Sequence, residues 1–451
     1  MTGRMDLSHG NKLNIKKKQT MKKYSIFMAV AALMFAVSCN KEEVNTVEPA
    51  VETELITIDL NPMTKTSLDG KATVWTEGDA VSVTVGGKNI GTLTLVEGST
   101  FSGEVEAGYN GEATLNYPAG VTTVPASQEA VANSFANGAA LLEGKAQMDD
   151  LRAGKGASLQ NTTALLSFSS PISGNVAFTI GSATYTVTDC VASETYYVCV
   201  DPENTGKLSY TVGIVLGANE KEGFAPVANK VYSLGELTLK NSTYGLVGDN
   251  NGWTDAFMYE TTVSDNFFVL YNVNFASAGG FKVRKDGVWS DDYNFGTSTT
   301  AKQSANEIVG VYTDGGSKDI ELNAGTYDIY FDRLAGQVYV MAPGKSYTTA
   351  TKPSHGSSYV LAGSFTGSNW GDSVVMNYSG DNIWTYVQDF AANNEFKVKI
   401  KGSWNSSWGY DNVYPGNGLV TNQNGNAKVK AAGTYIVGFY LTGNKITLVK
   451  K

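Results

Sequence analysis

Five tryptophans in the C-terminal half of this chain stand among polar residues, where a core aromatic would be out of place. Residues 403–412 read SWNSSWGYDN, so Trp404, Trp408 and Tyr410 lie beside Asn405, Asp411 and Asn412. Upstream, Trp289 is followed by Asp292, Tyr293, Asn294 and Phe295, while Trp253 closes GDNNGW and Trp370 closes GSFTGSNW. Basic residues accompany them: Lys282 and Arg284 alternate with Phe281 and Val283, and Lys397 and Lys399 alternate with Phe396 and Val398. On a strand, such alternation puts the cations on the face opposite the apolar pair. The chemistry that fits is recognition of a neutral sugar. A pyranose ring has a flat, weakly apolar face that an aromatic plate can cover, and a rim of hydroxyls that Lys, Arg, Asn or Asp can bind. The plates need a rigid frame, because ordering them on binding would cost more than the contact returns.

The candidate carbohydrate-binding residues are therefore Trp289, Arg284, Tyr293 and Trp253 in one stretch, and Trp404, Trp408, Lys399 and Trp370 in another. A plainer reading stands beside each. Trp253 and Trp370 can plug the end of a sandwich, and Lys282 and Lys397 can be solvated strand faces. Trp384, inside the alternating NIWTYVQDF, is expected to be structural. The usual transition-metal and His-assisted nucleophile systems lack their parts, while an enzyme relying on two carboxylates stays open. Only His9 and His355 occur, and the latter stands alone in KPSHGSS, so transition-metal sites and His-assisted nucleophiles have no partners. The acidic pair Asp291 and Asp292 has no spacing that marks catalysis. No cofactor and no enzyme activity are expected. For calcium, Asp and Asn are plentiful in the loops, but no ordered ligand motif stands out.

The elements that must hold these residues are strands. The chain has 49 Gly and 24 Tyr, with Thr, Ser, Val and Asn throughout and no long stretch of helix formers. That composition suits β-structure and tight turns. Its 451 residues exceed one core and leave room for about three domains. The C-terminal part repeats itself. FKVRKDGVW at 281–289 returns as FKVKIKGSW at 396–404, an offset of 115 that Tyr244 and Tyr359 share. GTYDIYF at 325–331 likewise matches GTYIVGF at 433–439. The expected modules span 243–342 and 358–451, joined by a polar, proline-containing linker at 343–357. Residues 55–240 alternate in strand fashion and read as one larger sandwich, so the whole is an all-β chain of three β-sandwich domains in series.

The N-terminus carries export signals. From Met21, two lysines precede an apolar run to Val37, with small residues before Cys39: a secretory signal at 21–38, too short to span a bilayer comfortably. Residues 1–20 read as a misassigned start. Residues 39–54 read as a tether with few large apolar groups. Without residues 1–38 the chain keeps 27 basic and 42 acidic residues, a net charge of −15 that disfavours nucleic acid. Cys190 and Cys199 flank an expected hairpin turning at Glu194-Thr195, which would set them opposite each other as either a disulfide or two buried thiols.

Four resemblances follow from these residues. Ala36-Val37-Ser38-Cys39 resembles the bacterial lipobox, which implies lipidation at Cys39, and Asn40-Lys41-Glu42-Glu43 resembles the acidic tag of Bacteroides-like surface lipoproteins. Thr64-Lys65-Thr66-Ser67, Trp75 and Gly78-Asp79 resemble the opening of fimbrillin-like domains, with Trp75 expected in the core. The aromatic-Lys-aliphatic-Lys/Arg strand, the following Trp and polar loop, and the closing Gly-Thr-Tyr strand resemble the tandem modules of the outer-membrane lipoproteins E and F of the starch-utilisation system. That family implies a non-catalytic protein on the outer membrane, facing the exterior. It would bind starch-like α-glucan and hold it for a neighbouring glycosidase and importer. The fimbrillin-like front implies the alternative, a fimbrial or adhesive surface component. A surface hydrolase is a third class, disfavoured by the missing nucleophile and acid/base pair.

Overall fold

Strand after strand shows the period of two. In Gly174–Ile180 the buried residues are Val176, Phe178 and Ile180, with partly exposed residues between them. Successive side chains on a pleated strand point to opposite faces, so this pattern can bury one face only against a second layer. The computed structural model describes residues 51–62, 75–290, 294–313, 317–351, 354–414 and 418–451, all within the compact unit Val51–Lys451. The fold is all-β; the one α-helix among the described residues is the five-residue Met148–Arg152.

The first part is not a single sandwich. Seven strands close a barrel, in the order Thr53–Pro62, Thr100–Glu106, Lys88–Glu97, Ala80–Val85, Glu112–Tyr117, Leu142–Gln147, Ala157–Asn161. Closure depends on the first strand. It pairs antiparallel with Thr100–Glu106 and, at its far end, parallel with Ala157–Asn161. A two-sheet unit follows, in which Phe178 of one sheet meets Phe168 of the other at 4.8 Å, and it shares one continuous core with the barrel. Trp75 packs as expected, edge-on to Phe101 and Tyr117 at 5.0 Å, with its Nε1 donating to Leu60 O at 2.9 Å.

The expected cysteine hairpin does not form. Ala183–Cys190 pairs with Gly174–Ile180, whereas Thr195–Val200 pairs with Ala164–Ser169 in the other sheet. The intervening turn carries the chain across the sandwich instead of folding it back. Cys190 and Cys199 are free, buried thiols, not a disulfide. Burial pushes them up, to about 11 and about 12 respectively.

The two C-terminal modules share one plan. Asn241–Gly248 pairs with Gly279–Lys285 so that Gly248 faces Phe281, and Tyr359–Gly363 pairs with Glu395–Ile400 so that Gly363 faces Phe396, the same register 115 residues on. Across each core lies a second set of strands, Phe267–Phe275 with Gly325–Asp332 in the first and Ile383–Phe390 with Gly433–Tyr440 in the second. Trp384 is buried there, as expected. The modules differ in one pairing. In the first, Ala256–Glu260 joins both halves into one continuous sheet; in the second, that contact is a single bridge between Val360 and Val375.

The described linker residues dock on the modules they join. Tyr347 packs on Phe267 at 4.7 Å, Thr351 pairs with Glu307, and the His355 ring lies 4.7 Å from Trp384. An aromatic residue in a polar connector finds an apolar seat, and the connector follows it. The modules also touch directly: Thr297 Oγ1 donates to Asp381 Oδ2 at 2.7 Å, and Arg333 Nη2 to Lys450 O at 3.1 Å.

Candidate functional site

Each module builds the same four-residue constellation on its outer face. In the first, Phe281 and Val283 enter the core while Arg284 points the other way. The loop that follows Gly248 then folds over this outer face. Gly248 N donates to Asn251 Oδ1 at 3.0 Å and Trp253 N to Gly248 O at 2.9 Å, which closes a tight turn. Trp253 sits at φ 62, a left-handed conformation that is uncommon for a bulky residue and that the turn imposes. Its Nε1 donates to Asp249 Oδ1 at 3.0 Å, and the other Asp249 oxygen accepts from Gly280 N at 2.8 Å. The ring is thereby tied to the strand beneath it.

Two residues later comes Asp255. Arg284 donates to it through Nε at 2.7 Å and Nη2 at 2.6 Å, a bidentate pair with both side chains largely buried. Gly245 makes room for this pair, since a Cβ there would stand 3.0 Å from Asp255 Oδ1. Trp289 covers the guanidinium, with Arg284 Cζ 4.4 Å from its ring centroid, a cation–π contact strengthened by the cation's loss of water. Trp253 and Trp289 then stand side by side, 6.1 Å between centroids and tilted by 39°.

The second module repeats the tight turn, the ion pair and the two tilted indoles. Gly363 N donates to Ser368 Oγ at 3.0 Å, Trp370 N to Gly363 O at 2.9 Å, and Trp370 sits at φ 59. Lys399 Nζ donates to Asp372, which also accepts from Gly402 N at 2.7 Å. The Lys399 ammonium lies 4.7 Å from the Trp404 centroid. Trp370 and Trp404 are 6.2 Å apart and tilted by 44°. The Lys399 hydrogen bond holds the Asp372 carboxyl below the usual carboxylate range. In both modules the outer plate keeps about half its surface in water, 52% for Trp289 and 49% for Trp404, over a cation that cannot move away.

Several expected residues fall elsewhere. Arg284 and Lys399 are buried, at 6% and 2% exposure, so they support the indoles from beneath instead of reaching out to sugar hydroxyls. Trp408 does not pair with Trp404. It is half-buried against Phe439 at 4.6 Å and Tyr359 at 5.7 Å and closes the edge of the core. Tyr410 packs against the same core, and Asn412 Oδ1 accepts from Gly409 N at 3.2 Å. Phe295 is core, and Lys282 Nζ donates to Ser317 O at 2.6 Å. Tyr293 and Asp292 lie outside the described residues, as does Cys39. Asp255 and Asp372 are the residues that sequence reasoning missed. Their signal was a repeated Trp-x-Asp, at 253–255 and again at 370–372. Among the described residues, no group of three or more His, Cys, Asp or Glu side chains is placed to hold a metal ion.

No protein-family model and no curated protein matches this chain. Among solved structures it is similar to SusF from Bacteroides thetaiotaomicron, at 14% identity over 64% of this chain and 76% of that one, with a TM-score of 0.19. A candidate cell adhesion protein from Bacteroides uniformis is similar at 13% identity over 41% of this chain and 97% of that one, with a TM-score of 0.23. Likeness at this level leaves function to be argued from the site itself.

Proposed function

We propose that this chain is a non-catalytic, lipid-anchored bacterial surface protein that binds polysaccharide, with starch-like α-glucan the favoured ligand, and holds it for a neighbouring hydrolase and importer. The observation that carries the reading is the duplicated tryptophan pair. Two loops of different sequence, with different capping residues, bring the same pair of tilted indoles over a buried cation paired with a carboxylate. Large apolar rings held in water on a stiff sheet are a ready-made stacking surface, with the ordering cost met during folding. The tilt of about 40° between the rings suits a curved glycan chain better than a flat ribbon. Two weak sites on one chain gain avidity on a polymer with repeated epitopes. Asp255 and Asp372 are each committed to a cation, so neither is free to act as a general acid or base. The anchor rests on the residues around Cys39.

Affinity electrophoresis against a panel of polysaccharides tests this reading. Retardation by soluble starch that Trp289→Ala/Trp404→Ala abolishes supports it. Retardation by no glycan at all would leave the adhesive alternative standing.

A further inference from the structure

The two modules differ beside the site in a way that bears on how much ligand each one grips. In the first, Ala256–Glu260 pairs with Asn241–Gly248 so that Phe257 faces Gly245, and Gly245 faces Arg284 on its other side. Residues opposite one another in a sheet project to the same face. Phe257, Gly245 and Arg284 therefore form one row across the outer surface, while Met258 beside them turns into the core. Phe257 is two strand spacings from Arg284, about 10 Å at the backbone. Gly245 contributes no side chain to the row, and the carboxylate of Asp255 lies over it. The row thus runs from an exposed phenyl ring, across a carboxylate edge, to the cation beneath Trp289.

A single exposed Phe is unremarkable by itself. Here it lies on the same face of the sheet as the cation beneath Trp289, and Val288 next to Trp289 is exposed as well. Trp253, Phe257, Val288 and Trp289 are exposed at 37%, 41%, 47% and 52%. In the second module the register partner of Phe257 is Val375, which bridges Val360 at the position of Gly245, and no aromatic stands there.

We propose that Phe257 is an additional stacking subsite, so that the first module grips a longer segment of glycan than the second. The ring takes a sugar one or more residues along the chain from the tryptophan pair. The partly exposed Asp255 edge accepts from hydroxyls between them. This inference rests on the carbohydrate reading of the tryptophan pairs, and its test separates the two.

The full chain carrying Trp404→Ala isolates the first site, which is titrated with maltotriose and maltoheptaose. Adding Phe257→Ala should weaken maltoheptaose about three- to tenfold, the range of one aromatic contact, and leave maltotriose within about twofold. Phe257→Trp should retain or improve maltoheptaose binding. In the Trp289→Ala chain, which reports the second site, Phe257→Ala should change nothing. Equal loss for both sugars, or no loss for either, overturns the subsite while the tryptophan reading stands. Failure of the Trp404→Ala chain to bind either sugar overturns both.

Discussion

The guanidinium carbon of Arg284 lies 4.4 Å from the centre of the Trp289 ring, with both carboxylate oxygens of Asp255 bonded to the guanidinium from the side. A buried cation would ordinarily be a liability, and a half-exposed indole would ordinarily wander. Stacked together they hold each other: the carboxylate neutralises the cation, and the cation fixes the plate.

That arrangement predicts strong non-additivity. Asp255→Ala leaves the buried arginine unpaired and should destabilise the first module by about 3–5 kcal/mol. Combining it with Arg284→Met removes the orphaned charge and should restore most of that loss. Urea unfolding of the single and double variants checks this. A double variant as unstable as Asp255→Ala would show that packing, not the unpaired charge, was lost.

The second module gives a pH signature. Lys399 holds the Asp372 carboxyl below its ordinary value of 3.8. A depressed folded-state value means that the pair's support is complete above the ordinary value and is lost as pH falls through the lowered one. In a chain whose other tryptophans are replaced by phenylalanine, Trp404 emission should stay constant from pH 7 to about 4 and change only below that. A transition centred near pH 6 would contradict the assignment.

Trp408 serves the core edge, so Trp408→Ala should lower the stability of the second module by about 3 kcal/mol while leaving glycan affinity at that site within about twofold. Calorimetric unfolding and titration on the same variant separate the two effects. A selective loss of affinity at unchanged melting temperature would return Trp408 to the binding surface.

The buried thiols predict inertness. Cys190 and Cys199 stay protonated at pH 8, and the thiolate is the reactive form. Neither should react with iodoacetamide in the folded chain, and both should react on unfolding without reductant. A requirement for reductant would reveal a disulfide. Because their folded values are raised, they withdraw stability only as pH climbs above the ordinary value of 9.0.

What the sequence disclosed follows from what is local. Alternation marked the strands, and the offset of 115 between Phe281 and Phe396 marked the duplicated modules. Closure of the barrel was hidden because it pairs Leu60 with Ala157, nearly a hundred positions apart. The cysteine turn misled because spacing alone cannot tell a hairpin from a crossing between sheets. For the site, alternation placed Arg284 and Lys399 outward but said nothing of the loops that fold over them. In sequence the near neighbour of Trp404 is Trp408, whereas the indole beside it in the fold, Trp370, arrives from a distant loop.

The central claim is that each module presents one independent sugar site capped by its outer indole. Isothermal titration of the full chain with maltoheptaose counts those sites directly. Two per chain in the wild type, one in Trp289→Ala, one in Trp404→Ala and none in the double variant is the predicted outcome. A stoichiometry that neither substitution alters would contradict it.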